Sequence, residues 1–425
     1  MIAWLLISFF VLLFLGVPIA MSLGLSAMGG ILFLGGGSTV TIAQRMFEGM
    51  NSFALLAIPL YTFAGFTMSK GGISKRLMDF CYSIVGHIYG GLAHVNVLSS
   101  MIFAGISGSA VADTAGVSGM FMPEMVRKGY SKNFTVAVNA ISSTIGIIIP
   151  PSIPMVVIAG ICGISTGKLF LGGIIPGVLC GLAQMIVSYF MAKKEGVPKE
   201  PGHFTIGPVL HGLWESWPAL LMPIIIVGTI TMGIVSPTEA GVIAVVYGLF
   251  AGGIIYRELK WEDIKFAFAE TVRTSGRIFI VIGAAKLYTV MLTTAGFDKW
   301  VAKTMLGFST NPTVILIVIL LIFFIVTMFM ESIATLTLFM PILYPIALGV
   351  GINPIVLSVL ITVVIGVGLV TPPVGMCIYV ACDLMDVTVG EVFPTLVPFI
   401  AATFVCIALM VAFPQLILLP TYLMA

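Results

Sequence analysis

Two stretches of this chain, one in each half, repeat one arrangement: a polar break in an apolar segment, a further apolar run and a Pro-Pro pair. The first has GISGSAVADTAG at 105–116, and its proline pair is Pro150-Pro151. The second has TMFMESIATLTLFMP at 327–341, and its pair is Pro372-Pro373. The repetition predicts an internal duplication, and paired breaks in apolar segments are typical of transport sites in membrane proteins.

The two stretches align with a small difference in offset. Matching Pro150 with Pro372 gives an offset of 222 in the numbering, whereas matching Pro123 with Pro341 gives 218. A short insertion would reconcile the two values. At the smaller offset Asp113 matches Glu331, so we expect these two carboxylates to occupy equivalent places in the two halves.

The composition is that of a membrane protein. Of the 425 residues, 59% are hydrophobic and 8% are charged, whereas a soluble globular protein carries about 25% charged residues. The net charge of +2 comes without a long basic run, so no nucleic-acid partner is indicated. The six cysteines lie singly in apolar surroundings, which indicates neither disulfides nor a metal site. The four histidines form no HExxH motif, so the chain is not expected to be an enzyme.

Apolar runs long enough to cross a bilayer recur along the chain. Two segments with central breaks, 93–126 and 312–345, are predicted to be re-entrant hairpins. Each half then has five spans, and an odd number inverts the second half relative to the first. The expected fold is an all-α polytopic membrane protein with an inverted structural repeat, about ten transmembrane spans and two re-entrant helical hairpins. The predicted spans are 1–16, 18–36, 53–69, 134–160, 169–191, 219–235, 237–256, 277–296, 355–381 and 392–419.

The basic residues favour this topology. In the inverted arrangement 14 of the 19 lysines and arginines fall on one side, which the positive-inside rule makes cytoplasmic. Arg45, Lys168, Lys299 and Lys303 fall on the opposite side, and Lys286 lies within a span. Both termini are therefore predicted to be periplasmic, with the first hairpin opening to the cytoplasm and the second to the periplasm.

A hydrophilic stretch separates the halves. Residues 193–218 are predicted to form a cytoplasmic linker between a first repeat, 1–192, and a second repeat, 219–425. Amphipathic pieces at 41–51 and 258–271 occupy equivalent places in the halves and are expected to lie in the membrane interface. They could serve as lever arms for a mobile part or as plain connecting helices.

Long motifs in both halves resemble one transporter family. The first half carries AIPLYTFAG at 57–65, GGLAHVNVLSSMIFAGISGSAVADTAG at 90–116 and SSTIGIIIPPSIPMVV at 142–157. The second half carries SPTEAG at 236–241 and VTPPVGM at 370–376. Together they resemble the large membrane subunit of tripartite ATP-independent periplasmic (TRAP) transporters, and the motifs span nearly the whole chain.

This resemblance implies a sodium-coupled importer of an organic acid in the inner membrane of a bacterium. The substrates of the family range from C4-dicarboxylates to sugar acids and sialic acid. For this chain the resemblance favours sialic acid. The resemblance also implies two partners, a small four-helix membrane subunit and a periplasmic substrate-binding protein. It further implies an elevator fold like that of the ion-transporter superfamily, although the residue pattern alone fits a rocking motion as well.

The breaks supply oxygen atoms suited to Na⁺. Carbonyls and hydroxyls freed by a break are tolerated at membrane depth where they line a polar cavity, and a proline pair lacks two amide donors. We therefore predict two sodium sites related by the repeat, although the same residues could instead only shape close helix packing. The first site is expected to use Ser107, Gly108, Ser109, Ser143, Thr144 and Gly146, before Pro150-Pro151. The second is expected to use Ser332, Thr335, Gly366, Gly368, Val370 and Thr371, before Pro372-Pro373.

Helix starts that follow the hairpin tips offer amide donors to a carboxylate substrate. Asp113 and Glu331 are each expected to cap a half-helix or to tune an ion site. Lys286 could neutralise the substrate, pair with a distant acid or contact the small subunit. The predicted substrate-facing residues are Ser109, Asp113, Thr114, Lys286, Ser332 and Ile333.

A second transporter class fits the same pattern. A stand-alone sodium/dicarboxylate symporter would share the inverted repeats and the hairpins, and its independence of a binding protein would distinguish it. A channel is disfavoured, because filter residues usually come in rings from identical subunits, whereas this chain holds two unlike halves.

Overall fold

The protein is built from helices, and no strand occurs in the part of the chain that the structure describes. The structure, a computed structural model, describes residues 1–35, 38–197 and 204–424. The helices of the first half are α1 Ile2–Phe14, α2 Ile19–Leu34, α3 Thr39–Met50, α4 Ala57–Lys70, α5 Ile73–Val85, α6 Gly91–Ser107, α7 Ala110–Arg127, α8 Lys132–Ser143, α9 Ile153–Cys162 and α10 Thr166–Lys194. Those of the second half are α11 Ile206–Thr231, α12 Pro237–Phe250, α13 Trp261–Thr294, α14 Phe297–Phe308, α15 Pro312–Thr327, α16 Ser332–Gly349, α17 Pro354–Gly368, α18 Met376–Met385, α19 Val389–Ala412 and α20 Gln415–Leu418.

Helix length and hydropathy make the chain a multi-pass membrane protein. Among the described residues, seven helical segments of at least 18 residues are apolar enough to cross a bilayer, including α10, α11, α13 and α19. Shorter apolar helices, among them α6, α15 and α17, accompany them. The number of ten spans and the periplasmic location of both termini stay predictions.

The two halves contain the same order of helices. The starts of α7 and α16 differ by 222 in the numbering, as do those of α8 and α17, and the starts of α10 and α19 differ by 223. This spacing fits an internal duplication with one nearly constant offset. The predicted offset of 218, which matches Pro123 with Pro341, is wrong. At the offset of 222 Pro123 matches Pro345, which takes the same place in α16 as Pro123 does in α7.

Each half contains one helix that is broken at its proline pair. In the first half α8 ends at Ser143, a 3₁₀ turn follows over Thr144–Ile147, and α9 begins only at Ile153. In the second half α17 ends at Gly368 and α18 begins at Met376. A proline pair lacks amide donors, so neither helix can continue through it. The segments predicted as spans 134–160 and 355–381 are therefore each two half-helices.

The two amphipathic pieces predicted at 41–51 and 258–271, called the arms from here on, differ in the structure. The first is a separate helix, α3, whose N-cap Ser38 accepts a hydrogen bond from the Val40 amide at 3.3 Å. The second, predicted at 258–271, is the first part of α13, which runs for 34 residues without a proline. α3 packs on α13, and α13 packs on α4. Each arm therefore lies against a helix of the other half.

The connection between the halves is shorter than predicted. The sequence predicts a linker over 193–218, whereas α10 extends to Lys194 and α11 begins at Ile206. Residues 198–203 lie outside the described residues. α10 and α11 also pack against each other directly.

Candidate ion-binding site

The first hairpin turns at a glycine that no other residue could replace without strain. Gly108 ends α6 with a φ of +64°, and Ser109 then caps α7 by accepting from the Ala112 amide at 3.4 Å. The Gly108 carbonyl accepts a hydrogen bond from the Ile153 amide at 3.2 Å. A Cβ atom at Gly108 would lie 2.5 Å from the carbonyl oxygen of Pro151. The tip is thus tied to the proline break of its own half.

Behind this tip lies a buried polar cluster. The Ser107 hydroxyl donates to one carboxylate oxygen of Asp113, a residue with no exposed surface. The other carboxylate oxygen has no hydrogen-bond partner among the described residues and lies directly beside Gly146. The Thr114 hydroxyl donates to the Ser143 hydroxyl at 2.6 Å. The structure therefore brings together five of the residues predicted for the first half.

The second hairpin carries a carboxylate at its tip. Glu331 is the N-cap of α16, and its Oε2 atom accepts from the amides of Ile333 at 2.9 Å and Ala334 at 3.3 Å. The Ser332 hydroxyl donates to Oε1 at 2.7 Å. An anionic side chain at a helix N-terminus is favoured by the helix dipole. The amides predicted to face the substrate at Ser332 and Ile333 are thus partly occupied by the chain itself.

Both hairpin tips make the same kind of contact with a proline break. The Met328 carbonyl accepts from the Val374 amide at 2.9 Å, just as the Gly108 carbonyl accepts from Ile153. Before the second break, the Thr371 hydroxyl donates to the Val367 carbonyl at 2.7 Å. Each break is therefore held by its own hairpin.

The two breaks approach each other where glycines leave room. A Cβ atom at Gly366 would lie 3.2 Å from the Cβ of Thr144 and 3.5 Å from its carbonyl oxygen. A Cβ atom at Gly368 would lie 2.7 Å from the Cβ of Thr327, in the second hairpin. Thr144 and Gly366 are both buried. The two predicted ion sites thus touch each other at Thr144 and Gly366.

A cysteine joins the first cluster from the other half. The buried thiol of Cys377, in α18, interacts with the hydroxyls of Thr114 and Ser143. It is absent from the residues predicted for the site, because a single cysteine in an apolar run looks like a packing residue. Its position four residues after Pro373 was the available signal, since that places it in the first turn of the half-helix.

The predicted equivalence of Asp113 and Glu331 is wrong. Glu331 is the N-cap of α16, whereas Asp113 lies within the first turn of α7, whose N-cap is Ser109. At the offset of 222, Asp113 corresponds to Thr335, whose hydroxyl donates to the Glu331 carbonyl at 3.0 Å. The two halves thus place their carboxylates one helical turn apart, because the insertion assumed between the matched prolines does not exist.

Lys286 does not join either cluster. It is an exposed residue of α13, and its Cβ and Cγ atoms pack against Gly49 of α3. Neighbouring Gly283 faces the carbonyl of Met46 in the same arm. Lys286 therefore belongs to the contact between α13 and the arm, and its predicted role as a substrate ligand is not supported by its position.

The oxygen atoms of the first cluster are suited to a hard cation. A buried carboxylate oxygen without a partner is costly, and a cation bound beside Asp113 would compensate its charge. The Ser107 hydroxyl bonds to this carboxylate, and the residue after Asp113, Thr114, bonds through its hydroxyl to Ser143. A cavity of about 220 Å³ lies elsewhere, between α14, α15 and α16, and its lining of residues such as Phe297, Trp300 and Leu343 is almost wholly apolar. That cavity offers nothing to a carboxylate.

Paired hairpins that contact broken helices, in a helical chain that crosses the membrane several times, define a membrane transporter. The family model described as "Tripartite ATP-independent periplasmic transporter, DctM component" matches residues 6–416, and the chain belongs to this family. It is therefore a transport permease subunit and not an enzyme.

Relatives of known name are similar over nearly the whole chain. The sialic acid TRAP transporter large permease protein SiaM of Vibrio cholerae is 35% identical over 96% of this chain and 95% of its own length. The C4-dicarboxylate TRAP transporter large permease protein DctM of Pseudomonas aeruginosa is 35% identical over 95% of this chain and 94% of its own. The isethionate TRAP transporter permease protein DctMQ of Oleidesulfovibrio alaskensis is 37% identical over 92% of this chain, which spans 62% of that relative's length.

Two solved transporter structures share the fold at low sequence identity. The YdaH transporter of Alcanivorax borkumensis matches with a TM-score of 0.59 and 13% identity, over 89% of this chain and 88% of that one. MtrF of Neisseria gonorrhoeae matches with a TM-score of 0.57 and 13% identity, over 87% and 84%. At this level of identity the likeness concerns the fold alone.

Proposed function

We propose that this chain is the large membrane subunit of a sodium-coupled importer of an organic acid. It would work in the inner membrane of a bacterium with a small four-helix membrane subunit and a periplasmic substrate-binding protein. The observation that carries the proposal is the contact of both hairpin tips with the two proline breaks, at Gly108 with Ile153 and at Met328 with Val374. In transporters, ion and substrate sites are formed by such broken helices at a repeat interface.

Sodium coupling is supported by the chemistry of the first cluster. Asp113 has one carboxylate oxygen for which the described residues supply no hydrogen bond, and Ser107, Thr114 and Ser143 add hydroxyls to the same cluster. Na⁺ prefers such oxygen ligands, and its charge would compensate a carboxylate that is costly to bury. We propose the second sodium site at Ser332, Thr335, Gly366, Gly368, Val370 and Thr371, where Gly366 of the second break faces Thr144 of the first.

The substrate is proposed to be an organic acid bound between the two hairpin tips. The relatives are named for sialic acid, C4-dicarboxylates, isethionate and 2,3-diketo-L-gulonate. All four are anions in neutral solution. The start of α7 at Ser109 is the better place for the acid group, because Glu331 already occupies amides at the start of α16.

The experiment is uptake into proteoliposomes that hold this chain with its small subunit. Labelled sialic acid, succinate and isethionate are tested with and without an inward sodium gradient, and with and without the binding protein. We expect uptake of one of these acids only when both the gradient and the binding protein are present. Uptake that is indifferent to sodium would contradict the proposed coupling.

The alternative is a stand-alone sodium/dicarboxylate symporter of related fold. It is favoured only by the hairpin and break architecture, which the two classes would share. Sodium-dependent uptake of succinate in the absence of the binding protein would establish this alternative and refute the tripartite assignment.

A further inference from the structure

A second buried polar cluster lies between α6, α8 and α10, outside the candidate ion site. The Ser100 hydroxyl donates to the Ser142 hydroxyl at 3.1 Å, and the Ser142 hydroxyl lies 3.0 Å from Oδ1 of Asn96. From α10, Nε2 of Gln184 donates to the Ile141 carbonyl of α8 at 3.3 Å. None of the Asn96, Ser100, Ser142 and Gln184 side chains is exposed. These contacts join the inbound helix of the first hairpin to the first broken helix and to α10.

Several buried polar atoms on these three helices have no hydrogen-bond partner among the described residues. They are Nδ2 of Asn96, Oγ1 of Thr135, Oε1 of Gln184 and Oγ of Ser188. All four residues have no exposed surface. A buried polar group without a partner costs free energy, and inside a membrane protein no lipid can satisfy it. Asn96 and Gln184 therefore each keep a polar atom that a bound polar molecule would satisfy.

The second half shows that helix packing alone does not require these polar residues. At the offset of 222, Asn96 corresponds to Val318, Ser100 to Ile322 and Ser142 to Val364. These aliphatic side chains belong to the apolar core or pack directly against it. The same helices thus pack in the second half without polar contacts at these places, so the polar cluster is a feature of the first half.

We propose that α6, α8 and α10 enclose a site for bound water, which positions the first hairpin against α8. Water fits because the unpartnered atoms include both a donor, Nδ2 of Asn96, and an acceptor, Oε1 of Gln184. A bare cation would be repelled by the amide donor. A buried water molecule typically makes two to four hydrogen bonds, and Asn96 and Gln184, whose side chains both reach residues 141–142 of α8, supply a donor and an acceptor.

The water site lies on the same two helices that supply ligands to the candidate ion site, an inference that rests on the proposed function. Ser142 is followed directly by Ser143, which accepts from Thr114. α6 ends at Ser107, which donates to Asp113. A bonded contact between Ser100 and Ser142 therefore fixes the relative height of the two helices that supply these ligands. Asn96 and Ser142 are positioning residues for the first ion site.

The first test detects the water directly and needs no transport. A cryo-electron-microscopy map of the complete transporter in lipid nanodiscs, at a resolution of about 2 Å, would resolve ordered water at hydrogen-bonding distance, roughly 2.7–3.2 Å, from polar side chains. We expect density within this range of Asn96 Nδ2. The absence of density there, or a rearrangement in which Asn96 and Gln184 satisfy each other, would overturn the proposed site whatever the protein transports.

The second test measures the positioning role. The double variant N96V/S142V copies the residue type of the second half, and T362V is the matched control, because the Thr362 hydroxyl bonds within its own helix, to the Ser358 carbonyl at 2.9 Å. We expect the double variant to raise the sodium concentration for half-maximal uptake at least about fivefold, and T362V to leave it unchanged. S142T, which keeps the hydroxyl, should retain most of the sodium affinity.

Two results would contradict the positioning role. One is a double variant with unchanged sodium dependence. The other is a double variant that loses uptake at all sodium concentrations in equal measure, since this would indicate a purely structural defect. Wild-type protein that shows no sodium dependence at all would refute the proposed function and not the water site, which the density alone decides.

Discussion

At the scale of the residue, Asp113 is the most informative group in the chain. It is fully buried, one carboxylate oxygen accepts from Ser107, and the other has no partner among the described residues. If it compensates the charge of Na⁺, D113N should raise the sodium concentration for half-maximal uptake at least about tenfold, equivalent to about 1.4 kcal/mol of binding free energy. Uptake measured against sodium concentration in proteoliposomes checks this.

The control for this variant is E124Q in the same helix. Glu124 pairs with Arg127 at 2.8 Å at the accessible base of the hairpin, so its loss removes a charge without touching the cluster. E124Q should keep the sodium dependence of the wild type. Equal sodium affinity in D113N and the wild type would remove Asp113 from the ion site.

Gly146 tests the packing of the same cluster. A Cβ atom there would overlap the unpartnered carboxylate oxygen of Asp113, so G146A must push this side chain out of place. Gly116, in α7, has open space around the corresponding position. We expect G146A to abolish sodium-driven uptake while G116A keeps it, at equal amounts of protein in the membrane. Activity of G146A close to that of G116A would mean that the cluster tolerates displacement of Asp113.

Most members of the first cluster are predictable from sequence, because hydroxyls next to a break are candidate ligands wherever they occur. Ser107 and Ser143 are expected there, whereas Thr114 is expected to face the substrate and instead donates to Ser143. The place of Lys286 is not predictable in this way, since a charge within an apolar run looks the same whether it faces a site or an amphipathic arm. The partners of Cys377 escape prediction as well: its position after Pro373 marks it as part of the break, but Thr114 and Ser143 lie on helices of the other half.

At the scale of the element, each hairpin tip depends on a bond to its proline break. Gly108 is the sharper case, because it combines a left-handed φ of +64° with a carbonyl of Pro151 at 2.5 Å from the position of a Cβ atom. Gly163, with a φ of +68°, has open space. A side chain in the left-handed region costs roughly 1–2 kcal/mol. G163A should lose only the stability that this strain costs, whereas G108A should lose more, because it also disturbs the tip.

The expected result is a pair of different phenotypes. G163A should lower the thermal unfolding midpoint of the purified protein slightly and keep its uptake. G108A should lower the midpoint further and stop uptake. If both variants behaved alike, the contact between the tip and the break would contribute nothing beyond local backbone strain.

The breaks were predictable from sequence because proline removes a backbone donor wherever it stands. The arms were not equally predictable. α3 ends at Met50 and is followed by a separate 3₁₀ turn over Phe53–Leu56, whereas the second arm continues directly into its span as one helix, α13. An amphipathic pattern that passes into an apolar one carries no signal for a boundary unless a proline, a glycine pair or a cap residue marks it.

At the scale of the whole molecule, the elevator motion that the family resemblance implies requires that one group of helices slide past another. We call α1–α4 and α11–α13 the scaffold, and α6–α9 and α15–α18 the core. Ser52, in the turn that leads into the scaffold helix α4, meets Gly160 of the core helix α9, where a Cβ atom on Gly160 would lie 3.6 Å from the Ser52 hydroxyl. Such a distance is compatible with a disulfide between cysteines placed at the two positions.

Oxidation of S52C/G160C should therefore stop uptake, and reduction should restore it. The matched control is G24C/A284C, which joins α2 to α13 within the scaffold, at 3.9 Å between the Cβ positions. Both pairs are introduced into an active background from which the six native cysteines are removed. The control disulfide should leave uptake intact, because an elevator motion would not slide one scaffold helix past another. Continued uptake with the disulfide formed between positions 52 and 160 would refute the elevator motion. A core fixed to its scaffold could open to the two sides of the membrane in turn only by rocking.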